Sequence, residues 1–189
     1  MRIIGGRLRG LALTPVGKGD PRAHLRPTSD RVRENLFNLL GGGRFGDPIG
    51  DAHVMDLFAG TGALGLEALS RGASRATFVE NGRPALKLLR SNMALCRLGD
   101  EGRLLSVDAR RIPSCERDPA SLVFLDPPYG KGLGEVALEA ARAGGWIARG
   151  ALIVWEDAAE RPPPEGFLGL EARRYGDTWL TLLRYGDGD

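Results

Sequence analysis

An apolar pentapeptide, Val54-Met55-Asp56-Leu57-Phe58, runs straight into Ala59-Gly60-Thr61-Gly62-Ala63-Leu64-Gly65. Gly60, Gly62 and Gly65 stand in GxGxxG spacing between a strand and an apolar helix, and Glu80 follows twenty residues after Gly60. Glycines at these positions allow a tight strand-to-helix turn and let a ligand lie against bare backbone, while an acid after the second strand holds ribose hydroxyls. A chain with such a turn is committed to a βαβ unit and so to a parallel sheet covered by helices.

The flanking pattern extends that unit. Strands are expected at 54–58, 76–80, 104–107, 122–125 and 151–155, and helices at 63–70, from Pro84 to about 98, and at 133–143. Pro84 belongs in the first turn of its helix. Leu122-Val123-Phe124-Leu125 is apolar throughout, as a central parallel strand should be. Pro162-Pro163-Pro164 interrupts the chain, and residues 168–175 and 177–185 read as a strand pair around Gly176-Asp177. The expected fold is α/β and Rossmann-like, with a mostly parallel sheet and an antiparallel terminal strand.

Ahead of this unit, residues 2–13 read as a small hairpin and residues 14–27, with three prolines and two glycines, as a loop. A helix over about 30–40 follows, capped by Thr28 or Ser29 and stopped at Gly41-Gly42-Gly43. The expected division is a basic N-terminal hairpin and loop (1–27) and a main α/β domain (28–189). Residues 1–40 hold eight basic and three acidic residues, +5, on a body of −3. Such an asymmetry suggests a polyanion met at one end, with a solvated basic tail as the plainer alternative.

Several classes are disfavoured. No apolar run approaches the ~18 residues of a membrane span, and the opening residues are too polar for a secretory signal. Cys96 and Cys115 form no CxxC pair and only His24 and His53 are present, so a disulfide framework and a metal site are not expected. A reduced, cytoplasmic setting fits.

Asp56, Glu80, Asp108 and Asp126 all fall at the ends of expected strands, where ligands bind in such sheets. That much negative charge repels a pyrophosphate and attracts the sulfonium and ammonium of S-adenosylmethionine. Simpler roles stand beside these: Asp108 as the cap of a turn before Ile112, Asp56 as an acceptor of loop amides. The fourth strand ends in Asp126-Pro127-Pro128-Tyr129. Its prolines fix the backbone and carry no N–H, leaving carbonyls undonated. A carboxylate beside a proline carbonyl offers acceptors for both hydrogens of an amino group. Holding them localises the nitrogen lone pair toward a methyl donor. Tyr129 offers a flat face for a base, worth roughly 1–3 kcal/mol.

Together these motifs resemble class I S-adenosylmethionine-dependent methyltransferases that act on planar amino nitrogens. Arg2-Ile3-Ile4-Gly5-Gly6-Arg7-Leu8-Arg9-Gly10, Leu25-Arg26-Pro27-Thr28-Ser29-Asp30-Arg31-Val32-Arg33-Glu34-Asn35-Leu36-Phe37-Asn38 and Gly62-Ala63-Leu64-Gly65-Leu66-Glu67-Ala68-Leu69-Ser70-Arg71 narrow the resemblance to the RsmD-type 16S ribosomal RNA guanine-N2 methyltransferases. The resemblance implies a seven-stranded sheet and methyl transfer to the N2 of one guanosine in small-subunit rRNA or an assembling small subunit. It implies a catalytic set Asp126, Pro127, Pro128 and Tyr129. It implies a cofactor set of Asp56, Phe58, Ala59, Gly60, Gly62, Glu80, Asn81, Asp108, Ala109 and Thr28, although Thr28 also serves as a helix cap. Arg7, Arg9, Arg26, Arg31 and Arg33 become candidates for phosphate contacts. Two rivals stay open: a DNA adenine-N6 methyltransferase, which shares the tetrapeptide, and a non-catalytic RNA-binding assembly factor. A dinucleotide oxidoreductase is further off.

Overall fold

The computed structural model describes residues 1–16 and 30–186. Seven strands form one sheet in the order β3-β2-β1-β4-β5-β7-β6. They are β1 (His53–Leu57), β2 (Arg75–Val79), β3 (Gly102–Leu105), β4 (Ala120–Leu125), β5 (Ile147–Asp157), β6 (Phe167–Tyr175) and β7 (Thr178–Tyr185). β1 to β5 are parallel, and β7 runs against both β5 and β6. The helices are α1 (Asp30–Leu40), α2 (Ala63–Ser70), α3 (Arg83–Leu95) and α4 (Leu133–Ala143). The elements read from the sequence are therefore present, with α3 ending at Leu95 and β3 beginning two residues early.

Alternation along the central strands feeds two cores. Val54, Phe78, Leu122 and Phe124 face α1, α2 and α3, while Met55, Leu57, Val123 and Leu125 face α4, Trp146 and Trp155. All eight residues of α2 are buried, so this helix has no solvated face. Gly65 lets it approach: a Cβ there would stand 2.5 Å from the Phe78 ring.

α2 contains one acid, Glu67, and its burial organises the N-terminus. Its carboxylate accepts the backbone N–H of Ile4 (2.7 Å) and Gly5 (2.8 Å) and the Nε–H of Arg71 (2.7 Å), with Arg33 Nε 3.8 Å away. Ser70 Oγ donates to Gly5 O and accepts from Leu8 N. The expected hairpin is present in minimal form: the antiparallel Arg2–Ala12 bridge is flanked by Ile3 N–H to Leu11 O (3.0 Å) and Leu13 N–H to Met1 O (3.2 Å), around a 3₁₀ turn at Gly6–Leu8. Ile3 and Leu13 sink into the core beside α1 and α2. Past Leu13, Thr14 N donates to Asn92 Oδ1 (2.8 Å), and the buried Asn92 amide donates to Thr61 O (2.8 Å).

Candidate active site

The order of the sheet reverses at β1, so the segments leaving β1 and β4 open a crevice at their C-terminal ends. β1 is followed by Phe58, whose φ of 60° is the left-handed conformation that non-glycine residues avoid. Such strain persists where surrounding bonds over-determine it. Here Ala59 N donates to Val79 O (3.0 Å), Gly60 N to Glu80 Oε2 (2.9 Å), and Gly62 N to Ala59 O (2.7 Å). Gly60 and Gly62 have φ of 57° and 79°, which glycine adopts freely.

Glu80 also gathers the next turn, accepting from the N–H of Asn81 (2.9 Å) and Gly82 (2.7 Å) through Oε1. Asp56 lies beneath the glycine turn, 1% exposed, and accepts Gly65 N–H at 2.9 Å. It holds the loop. Burial pushes its carboxyl up to about 7, opposed by the Gly65 hydrogen bond and reinforced by the charge of Glu80. Asp108 caps the 3₁₀ turn Ala109–Arg111 through Arg110 N (3.0 Å). Its carboxylate also binds the Arg110 guanidinium (2.6 Å), which holds it below the usual carboxylate range.

On the other side of the crevice, Asp126 N donates to Leu57 O (3.4 Å), continuing the register that pairs Leu125 with Leu57. The tetrapeptide therefore starts level with the glycine turn. Pro127 is buried, while Asp126, Pro128 and Tyr129 are half-buried. Tyr129 donates its hydroxyl to Glu156 Oε1 (3.1 Å), at the end of β5, and also bonds Thr178 at the start of β7. Burial and the Glu156 charge push the Tyr129 hydroxyl well above its ordinary range, so it stays protonated. The phenol is tethered at its tip. Sequence reasoning missed Glu156 and Thr178. The signal was present in Glu156-Asp157, acids at the end of an apolar strand like Glu80 and Asp126.

The arginines divide. Arg7 is exposed but paired with Glu101, and Arg9 and Arg31 are exposed. Arg33 corrects the expectation of a phosphate contact: it is 0% exposed, donates to Arg2 O and Asp30, and faces Glu67, so no polyanion reaches it. Arg26 and Thr28 lie outside the described residues. Among the described residues no group of three His, Cys, Asp or Glu gathers to hold a metal. No helix among them is long and apolar enough to cross a membrane.

This strand order, with β7 reversed and the crevice after β1 and β4, is the Rossmann-like sheet of the class I methyltransferases. The model of the family described as conserved hypothetical protein 95 matches residues 1–184. Ribosomal RNA small subunit methyltransferase D of Escherichia coli (strain K12) is 42% identical over 165 residues, covering 87% of this chain and 78% of that protein. The Haemophilus influenzae protein of the same name is 35% identical over 182 residues, 93% of this chain and 89% of its own. The solved structure of Escherichia coli yhhF has a TM-score of 0.82 at 37% identity, covering 100% of this chain and 99% of that one. The chain belongs to this family, the RsmD-type methyltransferases.

Proposed function

We propose that this chain transfers a methyl group from S-adenosylmethionine to the exocyclic N2 of a guanosine in small-subunit (16S) ribosomal RNA, within the cytoplasm and on free rRNA or an assembling subunit. The observation that carries the reading is the placement of Asp126-Pro127-Pro128-Tyr129 level with the glycine turn, with the Tyr129 ring tethered by Glu156. The names of the relatives supply the nucleic acid.

The residues present suit the donor. The glycine turn offers bare backbone at Gly60, Gly62 lets the turn pack on Leu89, where a Cβ would stand 2.5 Å away, and Glu80, fixed by three amide hydrogen bonds, stands where ribose hydroxyls bind. Phe58, Ala59, Asn81 and Ala109 line the same strand ends. Asp108 is assigned to the adenine amino group, once Arg110 yields one of its contacts. S-adenosylmethionine supplies a methyl group activated by its sulfonium. Carboxylates around it favour that cation over a pyrophosphate.

On the acceptor side, the guanosine leaves its stack to enter the crevice and lies against Tyr129. Asp126 accepts one N2 hydrogen and the Pro127 carbonyl the other, turning the nitrogen lone pair toward the methyl group. Asp126 then takes the proton released as the C–N bond forms. Positioning contributes most of the acceleration. Residues 1–27 are the RNA-docking segment, with Arg7, Arg9, Arg26 and Arg31 as phosphate ligands.

Asp126→Ala tests the assignment. Nucleoside mass spectrometry of small-subunit rRNA should show N2-methylguanosine made by the native enzyme and at least ~10²-fold slower by the variant. Calorimetry should show S-adenosylmethionine affinity retained. Equal losses in affinity and turnover would make Asp126 a cofactor residue, and N6-methyladenine in DNA as the product would replace the reading.

A further inference from the structure

Among the described residues nine arginines face an acid. Arg7 pairs with Glu101, Arg44 with Glu171, Arg71 with Glu67, Arg75 with Asp118, Arg142 with Glu139 and Arg161 with Asp157. The cations of α3 join none of these pairs. The sequence of this helix, RPALKLLRSNMAL, contains no acid. Arg83, Lys87 and Arg90 are all exposed and stand at i, i+4 and i+7, hence on one face. Among the described residues no ion pair joins any of the three to a carboxylate.

Folding does not favour this row. Like charges three and four residues apart repel one another. Arg83, the first residue of α3, also sits at the positive end of the helix dipole, where a cation is disfavoured. A repelling row in solvent is relieved by an external anion. At a rise of 1.5 Å per residue the row spans about 10 Å. A nucleic-acid strand carries one charge per about 3.4 Å of axis, so the row matches roughly three successive phosphates. Its position fits as well. Arg83 follows Glu80 by three residues, at the edge that holds the crevice. Arg90 donates to Ser106 Oγ (3.1 Å), behind β3 and beside the turn carrying the exposed Arg111.

We propose that the outer face of α3, through Arg83, Lys87 and Arg90, is a phosphate track that guides the RNA backbone toward the crevice. The track rests on the functional reading above and adds a surface separate from the N-terminal arginines.

The experiment replaces all three cations, as Arg83→Gln, Lys87→Gln and Arg90→Gln together, and measures binding of deproteinised small-subunit rRNA across salt concentrations. The log–log salt slope should flatten by about 2 to 3, at 0.7–0.9 per phosphate contact. Affinity at low salt should fall at least ~10-fold. The melting temperature should not drop, because a repulsion has been removed, and S-adenosylmethionine affinity should hold. Lys87→Gln alone should flatten the slope by about 0.7–0.9, which keeps the test open if the triple variant folds poorly. An unchanged slope in folded variants overturns the track. Loss of binding only to protein-bearing small subunits overturns it too and assigns the face to a protein. A native enzyme that methylates rRNA with a variant of unchanged slope removes the track alone; a native enzyme that neither binds nor methylates rRNA removes the functional reading.

Discussion

Glu67→Ala should be among the most damaging single substitutions far from the crevice. The carboxylate is fully buried and accepts four donors or near-donors: Ile4 N–H, Gly5 N–H, Arg71 Nε–H and the facing Arg33. Removing it leaves two backbone N–H groups unsatisfied, at roughly 1–3 kcal/mol each. It also leaves the Arg33 guanidinium buried with Asp30 as its remaining counter-charge, and breaking a buried pair removes about 3–5 kcal/mol. The contributions overlap, so a loss of about 5 kcal/mol is expected, a large share of the ~5–15 kcal/mol that stabilises an ordinary domain. At about 2–4 °C per kcal/mol this lowers the melting temperature by roughly 10–20 °C. Urea titration followed through the buried Trp146 and Trp155 reads the loss. Limited proteolysis should show residues 1–13 cleaved early. Glu67→Gln keeps the shape and one acceptor oxygen and should fall between. Adding Arg33→Met to Glu67→Gln should recover stability relative to Glu67→Gln alone, since no charge is then buried unpaired. A loss below about 1 kcal/mol in Glu67→Ala, with unchanged proteolysis, would refute the clamp.

Two further outcomes follow from the site. Asp56 has a folded-state value of about 7 against an ordinary 3.8, so the fold favours its neutral form; stability is full below about pH 4 and declines as pH rises toward 7, by on the order of 4 kcal/mol. Asp56→Asn should flatten that decline in urea titrations at pH 5 and pH 8, and an identical slope in the variant would discard the explanation. Gly65→Ala places a methyl 2.5 Å from Phe78 and should destabilise by about 1–3 kcal/mol with weaker S-adenosylmethionine binding in calorimetry, while a variant as stable as the native chain would show that α2 can back away.

The sheet was legible in the sequence because its signals are local. Apolar runs such as Leu122–Leu125, the glycine spacing after Phe58 and the proline at 84 each act within a few residues. The acids at strand ends were legible for the same reason, since a position after a strand fixes a side of the sheet. Arg33 was misread because charge in a sequence does not name its partner, and Glu67 lies thirty-four residues on. A clue existed in Ala63-Leu64-Gly65-Leu66-Glu67-Ala68-Leu69: a single acid in an otherwise apolar helix is buried with the helix and must find donors. Glu156 and Asn92 were missed similarly. Each acts by joining segments far apart in the chain, and neither belongs to a local motif.

The Glu67 and Asn92 contacts also bear on the order in which this chain acquires its structure. Ile4 and Gly5 wait for an acceptor 63 and 62 residues downstream, and Thr14 for one 78 residues downstream. During synthesis residues 1–14 therefore emerge long before anything exists to receive them. That segment is secured only after α2 and most of α3 have been synthesised. Until then Ile3 and Leu13 are exposed apolar groups on a basic tail, open to chaperones, proteases and nucleic acid. A long-range attachment of this kind slows folding because loop closure precedes the reward of contact. The finished N-terminus is thus a late reporter: its protection marks a molecule whose first two βα units are already in place.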